Sequence, residues 1–139
     1  SGAGLFNIYH FFKECRNLKE PKWLTERFVA ADDASAVISK AALAGEAEIC
    51  IKSLDLFVSI YGAEAGNLAL RAKAVRGVYI GGGIAPKILS KLKDGTFMRA
   101  FLDKGRYTDL LAAIPVQVVL NDQAALRGAA YYAAFLARD

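Results

Sequence analysis

Val78-Tyr79-Ile80-Gly81-Gly82-Gly83-Ile84-Ala85-Pro86-Lys87 is the stretch on which the fold turns. A short β-branched and aromatic run, opened by Gly77, delivers the chain to three glycines, and Pro86 stands where the first turn of a helix starts. Glycine permits positive φ and lets a ligand approach the backbone without meeting a Cβ. A strand-to-helix turn at the carboxyl end of a parallel strand is where α/β proteins hold nucleotides. The turn fits neither nucleotide fingerprint. Pro86 takes the fifth position after Gly81, so G-x-G-x-x-G fails, and no G-K-[ST] follows. Two readings stand: a ligand-contacting turn, or a tight turn that only lets a helix pack on the sheet.

Outward from this stretch, Val116-Gln117-Val118-Val119-Leu120 is the other strand signal, entered from Pro115 and closed by Asn121-Asp122. Helical segments are predicted between the strands at Pro86–Leu92, Thr96–Leu102 and Tyr107–Ala112, with Asp94-Gly95 and Lys104-Gly105 marking turns. A closing helix is predicted from near Asp122, carrying Leu126, Tyr131 and Phe135. Strand, helical crossover, strand implies two parallel neighbours joined with the right hand.

Upstream the pattern is helical throughout. Leu5, Ile8, Tyr9 and Phe12 lie on one face of a helix over Leu5–Arg16, which Pro21 keeps from continuing. A short helix over Trp23–Phe28 follows, then one capped by Asp32 or Asp33 and stopped by Gly45. Glu46–Ala74 is the longest periodic segment. Cys50, Leu54, Phe57, Tyr61, Ala65, Leu68 and Ala72 form its stripe, and Ile51, Val58 and Ile60 widen it into a deeply buried helix. Gly62 and Gly66 lie four residues apart within it, a spacing that lets another backbone come close. The expected fold is α/β and helix-rich, with two parallel strands and seven or eight helices. Parallel sheets need several buried members, so further strands are expected upstream of Ser1 or from another chain. Residues 1–139 read as a single, partial domain.

Composition narrows the function. More than half of the 139 residues are hydrophobic, which excludes disorder and a disulfide-stapled miniature. The longest uncharged run, Leu110–Asn121, falls short of a membrane span and contains Pro115. The net charge of +4 comes from lysines spread along the chain among acids, a solvated basic surface rather than a nucleic-acid face. Cys15 and Cys50 lie far apart with no C-x-x-C, and read as small buried hydrophobes of a reducing compartment. With no charged-then-apolar leader in view, the cytoplasm is expected. His10, the only histidine, reads as structural, and with two distant cysteines it assembles no zinc site. Ser1-Gly2-Ala3-Gly4 has the look of a loop at a helix N-terminus, and Asp103-Lys104-Gly105-Arg106-Tyr107 that of a solvated corner. No carboxylate pair or nucleophile–base arrangement stands out, so no catalytic or metal-binding residue is expected in these 139 residues.

Several of these segments together resemble the C-terminal part of the bacterial glucokinase family. They are Ser1-Gly2-Ala3-Gly4-Leu5 with Asn7 and Tyr9, Gly66-Asn67-Leu68-Ala69-Leu70, and Gly77 to Pro86. Phe101 to Tyr107, Ile114-Pro115-Val116 and Leu126-x-Gly128-Ala129 follow in order, so the resemblance spans essentially the whole chain. It implies the large domain of a ribonuclease H-like, actin-like ATPase fold, and an enzyme that phosphorylates glucose with ATP and Mg²⁺ in glycolysis. It implies that Gly81, Gly82, Gly83 and Ile84 lie against the adenine nucleotide, with Asn67 a further polar contact. It also implies a homodimer. The family's early D-x-G-G-T loop, its early Asn-Asp pair with the catalytic base, and its sugar-binding glutamate have no counterpart here. Asn121-Asp122 instead follows the late strand. Glucose is thus expected to be held by parts upstream, leaving a nucleotide-facing portion that is inactive by itself. The alternative is a non-catalytic helix-rich interaction or oligomerisation module on a kinase-derived scaffold.

Overall fold

The computed structural model describes residues 1–121 and 123–137. Helix α1 (Gly2–Glu14) starts under the Ser1 hydroxyl, which accepts from the Gly4 amide at 3.3 Å. It buries Leu5 and Tyr9 on the face that the sequence spacing selects, with Ile8 and Phe12 half-buried beside them. After Pro21, α2 (Lys22–Val29) contributes Leu24 to the core. Between the two, the Glu20 carboxylate accepts from the Tyr9 hydroxyl at 2.5 Å and the Thr25 hydroxyl at 2.7 Å, with the Lys13 ammonium at 2.9 Å. Helix α3 (Ala34–Leu43) is capped by Asp33 and runs out before Gly45, whose φ of +70° suits glycine.

Helix α4 (Glu48–Ala72) is the centre of the molecule, with α1, α3 and α6 packed on it. Strand β1 (Val78–Ile80) pairs in parallel with β2 (Val116–Val118), Val78 opposite Val116 and Ile80 opposite Val118. The crossover carries α5 (Leu89–Leu92), α6 (Thr96–Leu102) and α7 (Thr108–Ala112), and α8 (Ala124–Leu136) follows β2. The expected helix-rich α/β architecture, with two parallel strands and eight α-helices among the described residues, is therefore present.

The pair Gly62 and Gly66 has the packing role that its spacing suggests. A Cβ on Gly62 would run into the Phe97 carbonyl oxygen, and one on Gly66 would lie 2.5 Å from that of Phe101. The backbone of α6 rests directly on α4.

Other expectations are corrected. Pro86–Leu92 is not one helix: a 3₁₀ turn over Pro86–Ile88 precedes α5, because Ile88 at φ −114°, ψ 25° leaves the helical region. Tyr107 likewise belongs to a 3₁₀ turn over Gly105–Tyr107. Helix α4 is not buried all round, since Ile60 and Leu68 are about half exposed where its face borders open clefts rather than another element. Cys15 is exposed at the C-terminal end of α1, whereas Cys50 is buried. The closing helix is present as α8, with Leu126, Tyr131 and Phe135 exposed on it. Asp122, expected near its start, lies outside the described residues. Among the described residues no helix is long and apolar enough to cross a membrane.

Candidate functional site

Strand β1 ends on the buried Ile80, and the chain then emerges as Gly81, Gly82 and Gly83, all exposed. A Cβ on any of the three would meet nothing within 4 Å. Only Gly82, at φ +100°, needs glycine for its backbone conformation. Packing of a helix on the sheet therefore does not account for Gly81 or Gly83, in contrast to Gly62 and Gly66. What the three share is a cleft.

That cleft, about 570 Å³, lies between the glycine turn, the start of α1 and one face of α4. Ser1, Gly2 and Gly4 line it from α1, and Phe57, Tyr61 and Glu64 from α4. Ile84, half-buried, continues the glycine wall. A second lobe of about 260 Å³ shares Gly2, Gly83 and Ile84 with the first and adds Asp33, Ser35, Ser39 and Lys87. Gly2 holds the two lobes together: a Cβ there would sit 2.7 Å from the Ser35 hydroxyl, so the start of α1 rests on the start of α3.

The lobes differ in chemistry. The larger is apolar apart from Ser1, the Tyr61 phenol, whose pKa burial raises, and the Glu64 carboxylate. The smaller is polar. Asp33 Oδ1 accepts the Ser35 hydroxyl at 2.6 Å, the Ser35 amide at 3.0 Å and the Ala36 amide at 3.2 Å. The Ser35 hydroxyl does most to hold this carboxyl below its usual range, with the Ala36 amide next and Lys87 adding attraction.

Of the residues singled out in the sequence, Gly81, Gly82, Gly83 and Ile84 come together on one wall. Asn67 does not line it. It is exposed on α4, and its amide donates to Glu64, a lining residue, at 3.2 Å. His10 lies elsewhere, edge-on to Phe6 and 3.3 Å from Glu14. Cys50 is also remote from chemistry, its thiol pushed up to about 12 by burial. Among the described residues no group of His, Cys, Asp or Glu is arranged to hold a metal ion.

Glu64 and Ser35 escaped the sequence reading, Tyr61 figured only in the apolar stripe of α4, Lys87 only as the residue after Pro86, and Asp33 only as a cap. Lys87 carried the clearest signal, directly after Pro86. Nothing local marks Ser35, which reaches the cleft only because α1 seats on α3.

This is the helix-rich α/β unit of a ribonuclease H-like fold, with an open glycine turn at the carboxyl end of a parallel strand. The Glucokinase family model matches residues 1–135. The chain belongs to the glucokinase family. It is 41% identical to a glucokinase of Synechocystis sp. over 144 residues, covering 96% of this chain and 41% of that protein. With a glucokinase of Psychromonas ingrahamii the identity is 41% over 132 residues, covering 95% of this chain and 38% of the relative. A crystal structure of the glucokinase from an Antarctic psychrotroph superposes with a TM-score of 0.72 at 32% identity, covering 88% of this chain and 35% of that one. The chain thus spans about two fifths of the length of these relatives.

Proposed function

We propose that this chain is the C-terminal, nucleotide-facing portion of an ATP-dependent glucokinase, and that by itself it phosphorylates no sugar. The complete enzyme transfers a phosphoryl group from ATP to D-glucose, giving ADP and glucose 6-phosphate. Mg-ATP supplies that group, with magnesium neutralising phosphate charge. The observation that carries the reading is the row of three glycines whose open faces line the cleft.

The residues suit a nucleoside. Exposed glycine backbone offers amides and carbonyls to a ligand with no side chain in the way, and Ile84 offers an apolar surface to a base. The adjoining lobe offers a carboxylate, two hydroxyls and an ammonium to polar edges. The base that deprotonates the sugar hydroxyl is assigned to a part of the enzyme outside these residues. Glucose and the remaining phosphate contacts belong to other parts of the enzyme, which functions as a homodimer.

Titration with Mg-ADP, followed through backbone amide NMR, tests this reading. Saturable shifts centred on Gly81, Gly82 and Gly83 are expected. Glucose phosphorylation by the purified chain would overturn the claim that it is catalytically incomplete.

A further inference from the structure

The small polar lobe shares Gly2, Gly83 and Ile84 with the glycine cleft, so a nucleotide lying along the turn brings part of itself over Asp33. The Asp33 carboxylate is unevenly used. All three of its hydrogen bonds, from the Ser35 hydroxyl and the Ser35 and Ala36 amides, fall on Oδ1. Capping α3 occupies one oxygen, and Oδ2 accepts from no group among the described residues. The carboxylate is exposed, and Lys87 in the same lobe favours its ionised form. An ionised carboxylate is an acceptor only, and its natural partner on a nucleotide is a donor without charge. The phosphates carry none, being anions that Asp33 repels. The ribose hydroxyls and the adenine amino group do, and of these only a hydroxyl can donate to the Asp33 carboxylate while accepting from the Lys87 ammonium in the same lobe.

We infer that Asp33 is a specificity-determining residue of the nucleotide site, its Oδ2 accepting a ribose hydroxyl while Oδ1 caps α3. This deepens the nucleotide reading and rests on it. The consequence is discrimination: the chain selects ribonucleotides over those lacking the bonded hydroxyl. Ser35 acts through Asp33 as a positioning residue, since its hydroxyl and amide fix the carboxylate plane.

The test compares the chain with its D33N variant, each titrated with Mg-ADP, Mg-2′-deoxy-ADP and Mg-3′-deoxy-ADP through amide NMR shifts. Asparagine caps helices about as well as aspartate, so α3 is retained, and an unchanged melting temperature verifies it. For the unaltered chain, at least one deoxynucleotide is expected to bind about 5-fold or more weaker than ADP, as loss of a charge-assisted hydrogen bond requires. In D33N, ADP itself weakens by a similar factor and the preference collapses towards 1. If the unaltered chain binds ADP and both deoxynucleotides equally, or D33N keeps the preference, the role of Asp33 is overturned while the nucleotide reading stands. If the unaltered chain responds to none of the three ligands up to millimolar concentration, both fall together.

Discussion

Gly81 and Gly82 are neighbours with different reasons for being glycine, and alanine at each separates them. Gly81 has a backbone open to any residue and empty space around it, so Gly81→Ala leaves unfolding free energy within about 0.5 kcal/mol. A methyl there intrudes on the cleft, and ADP affinity measured by NMR falls several-fold. At Gly82 the φ of +100° strains any side chain, so Gly82→Ala costs roughly 1–2 kcal/mol in urea unfolding whatever binds. Equal stability loss at both positions would remove the argument that the cleft, rather than the turn, requires Gly81. Glu20 sets a second case, in which pH is the probe. Burial raises its pKa, but donation from Tyr9 and Thr25 and the Lys13 ammonium outweigh this and leave it lowered. An unfolded glutamate titrates near about 4.3. A folded value below that means the stabilisation is fully present above the unfolded value and disappears as pH falls through the folded one. The melting temperature is expected to drop on acidification below about pH 4.3, less steeply in Glu20→Gln. At neutral pH that variant loses roughly 1–2 kcal/mol, because the Lys13 pairing goes. Asp94 contributes to the same acid limb. Burial raises its pKa too, yet Lys91 and Thr96 bring it down to about 2.

At the scale of elements, glycine spacing decides how α4 meets α6. Replacing a mid-helix glycine by alanine gains roughly 1 kcal/mol of helix propensity. At Gly62 and Gly66 the added methyl meets backbone carbonyl oxygens of Phe97 and Phe101, which have no rotamer by which to yield. Overpacking costs about 1–3 kcal/mol and more against backbone, so the clash wins. Gly62→Ala and Gly66→Ala are each expected to lower the urea midpoint, with Gly62 the worse. Gly128 in α8 supplies the opposite sign: nothing lies within 4 Å of its Cβ position, so Gly128→Ala raises helical circular dichroism without penalty. A stabilising Gly62→Ala would mean that the two helices are free to move apart. These contacts also show what sequence can convey. Period and punctuation expose α1, α3, α4 and both strands because those signals are local: apolar spacing, the Asp33 cap, β-branched runs next to glycine or proline. The glycine turn was legible as an opening for the same reason. The opposite wall was not, because Gly2 resting on Ser35, and Tyr61 lining the same cleft as the turn, are relations between segments distant in the chain. Their residue types, a serine, a tyrosine and a glutamate on helices, are unremarkable in one dimension.

For the whole molecule, the balance between buried and exposed apolar surface argues for association. The core gathers Tyr9, Ile49, Val58, Phe101 and Leu111 around α4, yet Leu126, Tyr131, Tyr132, Phe135 and Leu136 on α8 stand more than half exposed. The face of β1 that carries Tyr79, at 68% exposure, is uncovered too. Helix α8 has no buried residue to hold it against the body, so its helicity relies on propensity, and an isolated helix of 13 residues is marginal in water. Both surfaces gain by meeting an apolar partner, and exposed patches of this kind drive association. The proposed homodimer offers such a partner at high concentration. Sedimentation velocity over a hundred-fold range of concentration is expected to show a concentration-dependent shift towards dimer, with helical content rising alongside it. Tyr131→Glu with Phe135→Glu should abolish the shift while leaving the Mg-ADP response at Gly81–Gly83 intact, because neither residue lines that cleft. A chain that stays monomeric throughout the range would overturn the dimer proposal. A double variant that still dimerises would place the interface elsewhere, with the uncovered face of β1 next to be tested.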